Sequence, residues 1–424
     1  MKRILVGILV VVGALVALGV VAAVVLAYTL DPNDYRDRIE GLVEEQTGRE
    51  VAIEGQIGLS YFPWLGAEVN RVRLGNAEGF GPEPFARADA IDVRVRLLPL
   101  LWGEVEVGKT VLRGLEVHLA KSEEGRTNWA DLMAPGPAPA PAPSGKPSGE
   151  PSPPAEPGAG MGALSLGGLE VQNASLSWVD QQSGQEVRIK DLQLTVGALR
   201  PGAAFPVEGT LRLTAGPPEL SGDVGISGNL EIGEKGQKVR FDGLRLQANL
   251  EGEAFPGGVF EPRLEATGSL DSGQWSAVLE SATLAAAGLE ATLNGEATRL
   301  DRGGRFQGRL EGRVADGERL ARALGDGEEP ALPGDALQDA RLGSDLTMDL
   351  GEGTASLPGL QGSGPGLQVT GKLAARNLAG AIAGGGNLAL EVTDGKALAA
   401  ALEGALPEDL RPAGLDGARV ASGL

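Results

Sequence analysis

From Val51 almost to its end, the chain alternates apolar and polar residues with a period of two. Val51, Ile53, Ile57 and Leu59 begin the pattern. Val93, Val95 and Leu97 continue it, followed by Val105, Val107, Leu115, Val117 and Leu119. Residues two apart in a strand share a face, so each run predicts a strand with one apolar and one wet side. Glycine, Asp-Gly or Pro-Gly separates many of the runs, as hairpin turns require. Glycine is 66 of 424 residues, and each glycine weakens a helix interior by about 1 kcal/mol relative to alanine. The fold expected is mainly β: an elongated antiparallel sheet of roughly 20 strands, reaching about 100 Å at ~4.8 Å per strand. One late stretch has helical rather than strand spacing, Glu318 to Leu324 (ERLARAL).

Two segments stand outside the alternation. Ile4–Ala27 is an uninterrupted apolar run of 24 residues, preceded by Lys2 and Arg3 and followed by Asp31, Asp34 and Asp37. At about 1.5 Å per residue it is long enough to cross a ~30 Å hydrocarbon core. The flanking charges predict a cytoplasmic N-terminus with the rest of the chain exported. A cleaved signal peptide, the alternative, has a shorter apolar core of about 7–15 residues. The second segment, 134–160, is Pro/Ala/Gly/Ser-rich without periodicity and reads as a solvated linker. Between the two, Asp31-Pro32 is a helix start and Gly48 a helix stop. Tyr35, Ile39, Leu42 and Val43 form the apolar stripe of a short amphipathic helix. The expected organisation is an anchor (1–30), a helix-plus-sheet region (31–133), the linker (134–160) and a second β region (161–424).

Composition excludes several chemistries. There is no cysteine and one histidine, so thiolate and multi-histidine metal sites cannot form within one chain. Lys and Arg number 37 against 57 Asp and Glu, a net charge of −20, the wrong sign for a nucleic-acid footprint. Gly103–Thr110 matches the phosphate-cradling pattern G-x-x-x-x-G-K-T. Its interior alternates like a strand, however, and no helix pattern follows, so an ordinary hairpin is the better reading. His118 falls opposite Val117 and Leu119, beside Glu116, without a nominated catalytic partner. Gly114-Leu115-Glu116-Val117 recurs as Gly168-Leu169-Glu170-Val171, a loose echo rather than a strict repeat.

The first 133 residues resemble the AsmA family of bacterial envelope proteins. The stretches that carry the resemblance are the anchor, LDPNDYRDRIEGLVEEQTGREVAIEGQIGLSYFPWLG, and VRLGNAEGFGPEPFARADAIDVRVRLLPLLWGEVEVGKTVLRGLEVHLAKSEEGRTNW. It continues more weakly through LEVQNASLSWVDQQSG and RFQGRLEGRVADGERLARALG. The resemblance implies an inner-membrane anchor and a periplasmic β body akin to the chorein-like and TamB-like bridge proteins, whose curled β-sheets hold an apolar groove. It implies phospholipid acyl chains as ligands and lipid transport between inner and outer membranes. The alternative is a non-enzymatic assembly factor contacting outer-membrane proteins or their insertion machinery. No catalytic residue, cofactor or nucleic-acid partner is expected. Family members usually run longer, so whether the reading frame continues past Leu424 is open. The alternating positions Val51, Ile53, Ile57, Val93, Val95, Val105, Val107, Val117 and Leu119 are the expected groove lining.

Overall fold

The computed structural model describes residues 31–60, 64–96, 106–133, 165–253, 255, 257–325, 332–378, 383–402 and 419–423. The expected anchor (1–30), Val105 and the 134–160 segment lie outside them. Among the described residues no helix is long and apolar enough to cross a membrane. The protein is mainly β, with 23 strands and a few short helices among the described residues. It divides into two compact units, Met1–Ala198 and Leu199–Leu424.

The first unit opens with a 3-10 turn, Pro32–Tyr35, and helix α1, Arg36–Thr47. Asp31 caps the start by accepting from the Asn33 N–H, and Gly48 ends α1 in the left-handed conformation at φ 70°. Strands β1 (Val51–Ile53) and β2 (Ile57–Ser60) pair with two parts of β3 (Trp64–Leu74), which pairs antiparallel with β4 (Ala86–Arg96). β5 (Glu106–Val107), β6 (Thr110–Arg113) and β7 (Glu116–Lys121) follow one another along β4 as one interrupted strand. After a one-turn helix, α2 (Ala130–Met133), β8 (Ser165–Leu166) and β9 (Leu169–Asp180) run parallel to that strand; β10 (Gln185–Val196) completes the sheet.

The sequence leaves open whether the 134–160 stretch interrupts one sheet or separates two, and the strands on its two sides share one sheet. Parallel neighbours need a connection that returns along the sheet, a dozen residues or more. The segment between β7 and β8, which includes 134–160, is that connection. The strands on either side of it pair directly, from Glu106↔Ser165 to Lys121↔Asp180. The two compact units meet in sequence at Ala198/Leu199.

The second unit is an antiparallel meander of successive strands, except that the two-residue β14 pairs only with β13, which also pairs with β15. Its members are β11 (Ala204–Gly216), β12 (Leu220–Ile232), β13 (Lys238–Gly252), β14 (Val259–Phe260), β15 (Arg263–Asp271), β16 (Ser276–Ala286), β17 (Leu289–Thr298) and β18 (Arg305–Val314). Helices α3 (Gly317–Leu324) and α4 (Gly334–Leu337) then precede β19 (Arg341–Asp349), β20 (Thr354–Gly364), β21 (Leu367–Arg376) and β22 (Ala383–Val392). Helix α5 (Gly395–Ala401) and β23 (Arg419–Gly423) end the described chain.

Within this unit a four-strand block with a docked helix occurs twice, 78 positions apart. In the first copy, β15–β18 lead into α3; in the second, β19–β22 lead into α5. Local details repeat with the same offset. Leu300 N–H donates to Trp275 O, and Leu378 N–H to Gly353 O. Arg299 and Asn377 are both left-handed, at φ 55° and 60°. Asp316 and Asp394 cap the two helices. The turn glycines Gly288 and Gly366, at φ 81° and 69°, lie against the helix starts. A methyl group on either would fall 2.2 Å from the carbonyl oxygen of the capping aspartate. The sequence echo Gly114/Gly168 has no such standing, because the register sets Gly114 beside Gln172 rather than Gly168.

A candidate apolar binding face

The expected groove residues separate between two faces of the first sheet. Directly opposed residues share a face. Val51 opposes Leu74, Ile53 opposes Val72, Val72 opposes Ala88, and Val117 opposes Ala86. Leu119 follows Val117 by alternation and lies level with Trp178. Val93 and Val95 occupy the alternate positions of β4 and face the other way; Val107 opposes Val95. Ile57 opposes Val69, which opposes Ile91, also on that second face. Val51, Ile53 and Ile57 are buried at 9, 5 and 5% exposure. Val93, Val95, Val107, Val117 and Leu119 are half-buried. The β1–β2 shift by one residue between Ile53 and Ile57 is what period counting alone misses.

The free edge of β1–β2 is closed by polar groups from the helical segment. Glu40 Oε1 accepts from Ile53 N–H at 2.6 Å and Asn33 Oδ1 from Ile57 N–H at 3.0 Å, while Arg36 Nη2 donates to Gly55 O at 2.6 Å. The sheet edge is thereby blunted against further strand pairing. The apolar stripe of this helix points outward: Tyr35, Ile39 and Leu42 are exposed and Val43 half-buried. Docking is by hydrogen bonds rather than by the apolar stripe.

A buried polar cluster that sequence reasoning missed ties this unit together. Asn128 has no exposed surface. Its Oδ1 accepts from Ala120 N–H, and its Nδ2 donates to Asn76 Oδ1 and His118 O. Its carbonyl accepts from Arg49, 3% exposed, whose guanidinium grips Asp131 through two bonds of 2.6 and 2.9 Å and stacks over Phe85 at 4.6 Å. The hydrogen bond and charge of Arg49 hold the Asp131 carboxyl below its ordinary value. His118 Nδ1 lies 2.9 Å from Ser177 Oγ, its directly opposed neighbour across the β7–β9 pair. The phosphate-loop match also resolves structurally. Glu106–Val107 is strand and Thr110 begins another; between them Lys109 pairs with Glu170. Lys109 and then Gln172 hold the Glu170 carboxyl below its ordinary value. Among the described residues, no group of three or more His, Asp or Glu is placed to hold a metal.

The face with the strongest binding character lies in the second unit. Its register opposes Gly209, Ile226, Leu246, Leu264, Leu284, Ala291, Gly312, Leu342, Gly362, Val369, Leu390 and Val420 in one unbroken row from β11 to β23. Every member is apolar or glycine. At ~4.8 Å per step the row extends for about 50 Å. A second row on the same face passes from Ile232 and Val239 through Leu270, Ala277, Ala297, Phe306, Met348, Ala355 and Ala375 to Gly384. Bulges keep the two rows on one side: β13 and β16 each carry an extra residue where the register shifts, between Phe241 and Leu244 and between Leu279 and Ala282. Aromatic rings lie down on this face. A methyl on Gly268 would reach within 2.7 Å of the Phe241 ring, and one on Gly295 within 2.7 Å of the Phe306 ring.

This face is open. Leu270, Leu284, Leu342 and Leu390 are 43, 43, 39 and 38% exposed, although each sits mid-sheet in an apolar row. An apolar hollow of about 480 Å³ lies on it, lined by Leu310, Leu346, Leu357 and Leu373 over Ala355, Ala375 and Gly384. The reverse face is charged. Arg245–Glu265, Arg313–Glu290, Arg309–Glu311 and Arg305–Asp349 pair across or along its strands. A larger hollow of about 860 Å³ on that face is lined by Arg313–Glu290, Arg309–Glu311, Arg341 and Asp345 and by Thr292, Gln361 and Thr370. Its carboxylates are matched by guanidiniums, so it has no unbalanced charge to recruit an ion.

The sequence pattern of the AsmA family matches residues 1–311. Protein AsmA of Escherichia coli (strain K12) is 32% identical over 124 residues, 29% of this chain and 19% of that protein's length. The chain therefore aligns with well under two thirds of that relative. No solved structure matches it. With a family match spanning nearly three quarters of its length, in a β-rich body preceded by a long apolar run, the chain belongs to the AsmA family.

Proposed function

We propose that this protein is a non-enzymatic lipid-binding component of the bacterial envelope. It is anchored in the inner membrane by residues 4–27, its body lies in the periplasm, and the apolar face of the second unit carries phospholipid acyl chains between the inner and outer membranes. The observation that supports this reading is the unbroken apolar row from Gly209 to Val420, with Leu284, Leu342 and Leu390 exposed to solvent on it. Contiguous exposed apolar surface beyond a few hundred Å² is rare on soluble proteins and marks an interaction surface. An acyl chain gains about 0.8 kcal/mol for each CH₂ it buries, without directional bonds, and so suits a face that offers none. Family membership favours an envelope role. Moving a lipid along such a face breaks no covalent bond, consistent with a site made of leucine, valine, alanine and glycine.

The test is lipid extraction and mass spectrometry on the full chain purified from membranes in mild detergent. The parent is expected to retain phospholipid, and the double variant Leu264→Glu/Leu342→Glu several-fold less, since both carboxylates stand in the row. Equal lipid on the folded variant, or a lipid-free parent that captures outer-membrane proteins, would overturn the reading in favour of an assembly factor.

A further inference from the structure

The duplication places Phe306 of the first copy and Gly384 of the second at equivalent positions, 78 residues apart on the same apolar row. In the first copy the Phe306 ring lies over Gly295 and Gly308; added methyls there would come within 2.7 and 2.9 Å of it. In the second copy that aromatic is missing. The hollow of about 480 Å³ opens there, walled by Leu310, Leu346, Leu357 and Leu373. Its volume falls in the range of small-molecule sites, ~300–1,000 Å³. A side chain at Gly384 would meet nothing closer than Ala374 O at 3.4 Å, so the vacancy is not imposed by the backbone.

We infer that this hollow is a discrete seat for one hydrocarbon chain of a lipid, a resting position on the apolar face, and that Gly384, which contributes no side chain, leaves room for that chain, while Leu373, at the position of Gly295, lies over Gly386 as Phe306 lies over Gly308. The inference rests on the lipid-binding reading above and adds a location and an occupancy to it. The occupant is hydrocarbon because leucine, alanine and glycine dominate the lining, leaving a charged or sugar ligand almost nothing to bond. The seat is open on the side where the apolar rows continue, so a chain can enter along the face.

The test places a photo-crosslinking residue at Leu357, in the seat, and separately at Val224, on the apolar side of β12 and far along the sheet. Each is irradiated in the full chain in native membranes and scored for phospholipid adduct. The adduct at Leu357 is expected to exceed that at Val224 at least threefold. Gly384→Phe is expected to bring Leu357 down to the Val224 level without changing Val224, and Gly384→Ala to have little effect. Equal adducts at the two positions in the parent overturn the seat whatever becomes of the variants, as does a folded Gly384→Phe chain with an unchanged Leu357 adduct. Lipid at Val224 alone sinks the seat and keeps the lipid face, whereas adduct at neither position sinks both.

Discussion

Asn128 uses its amide, its backbone N–H and its carbonyl inside the fold, joining the 75–80 loop, β7 and the helix-to-strand junction at Arg49. Removing one partner of a buried hydrogen-bonded group leaves the others unsatisfied, at about 1–3 kcal/mol each. Asn128→Ala is therefore expected to destabilise the first unit by about 2–4 kcal/mol, read as a lower denaturant midpoint. A change below about 0.5 kcal/mol would show that the cluster is not a structural tie. Asp131 adds a pH dependence. Its folded value is depressed by Arg49, so its contribution is fully present above the ordinary carboxylate value near 3.8 and is lost as pH falls through the lower folded one. The stability gap between the parent and Asp131→Asn should be full at pH 7 and close in acid; a gap that widens in acid would contradict the pairing. None of this was legible in the sequence. Arg49, Asn128 and Asp131 sit at no shared period, and only the chain crossing brings them together.

At the scale of elements, legibility followed locality. The helical segment formed by the 3-10 turn and α1 begins and ends where Asp31-Pro32 and Gly48 place it, and α3 covers the expected ERLARAL stretch, because caps and helical spacing are written within a few residues. The outward turn of Tyr35, Ile39 and Leu42 was not legible, since it depends on unpaired groups of a strand edge 13 to 24 residues away. The Pro/Ala-rich 134–160 stretch reads as a boundary by composition, yet the strands beside it pair. Composition reports local stiffness and not partners. The bulges in β13 and β16 likewise shift the phase of the alternation and hide the continuous face. The duplicated helix docking makes an element-scale prediction. Gly366→Ala forces a methyl toward Asp394 O at a positive φ and is expected to cost about 2–4 kcal/mol; Asp394→Ala removes only the cap, about 1 kcal/mol. Equal costs for the two, measured by chemical denaturation, would mean that the turn does not seat the helix.

For the whole molecule, the sequence already implied a mainly β chain of about 20 strands, and the described residues form 23 in two units. The expected lining residues came from the first unit, where the alternation is easiest to read next to the family resemblance. The longer apolar face lies in the second, where glycine-rich strands conceal it. There, glycines sit beneath aromatic rings or within the row itself, so a position that reads as weak strand is part of the surface. The net charge of −20 is compatible with such a face, because ionic pairs and acidic residues on the reverse side keep the sheet soluble while one side remains apolar. The most direct test of this account is a residue-by-residue crosslinking scan across the two faces. Photo-crosslinkers at 244–248 and 340–344 in the full chain, irradiated in native membranes, should give phospholipid adducts at Leu246 and Leu342 and not at Arg245, Gln247, Arg341 or Gly343. Adducts without that alternation, or adducts confined to the charged positions, would contradict an acyl chain lying on the apolar row.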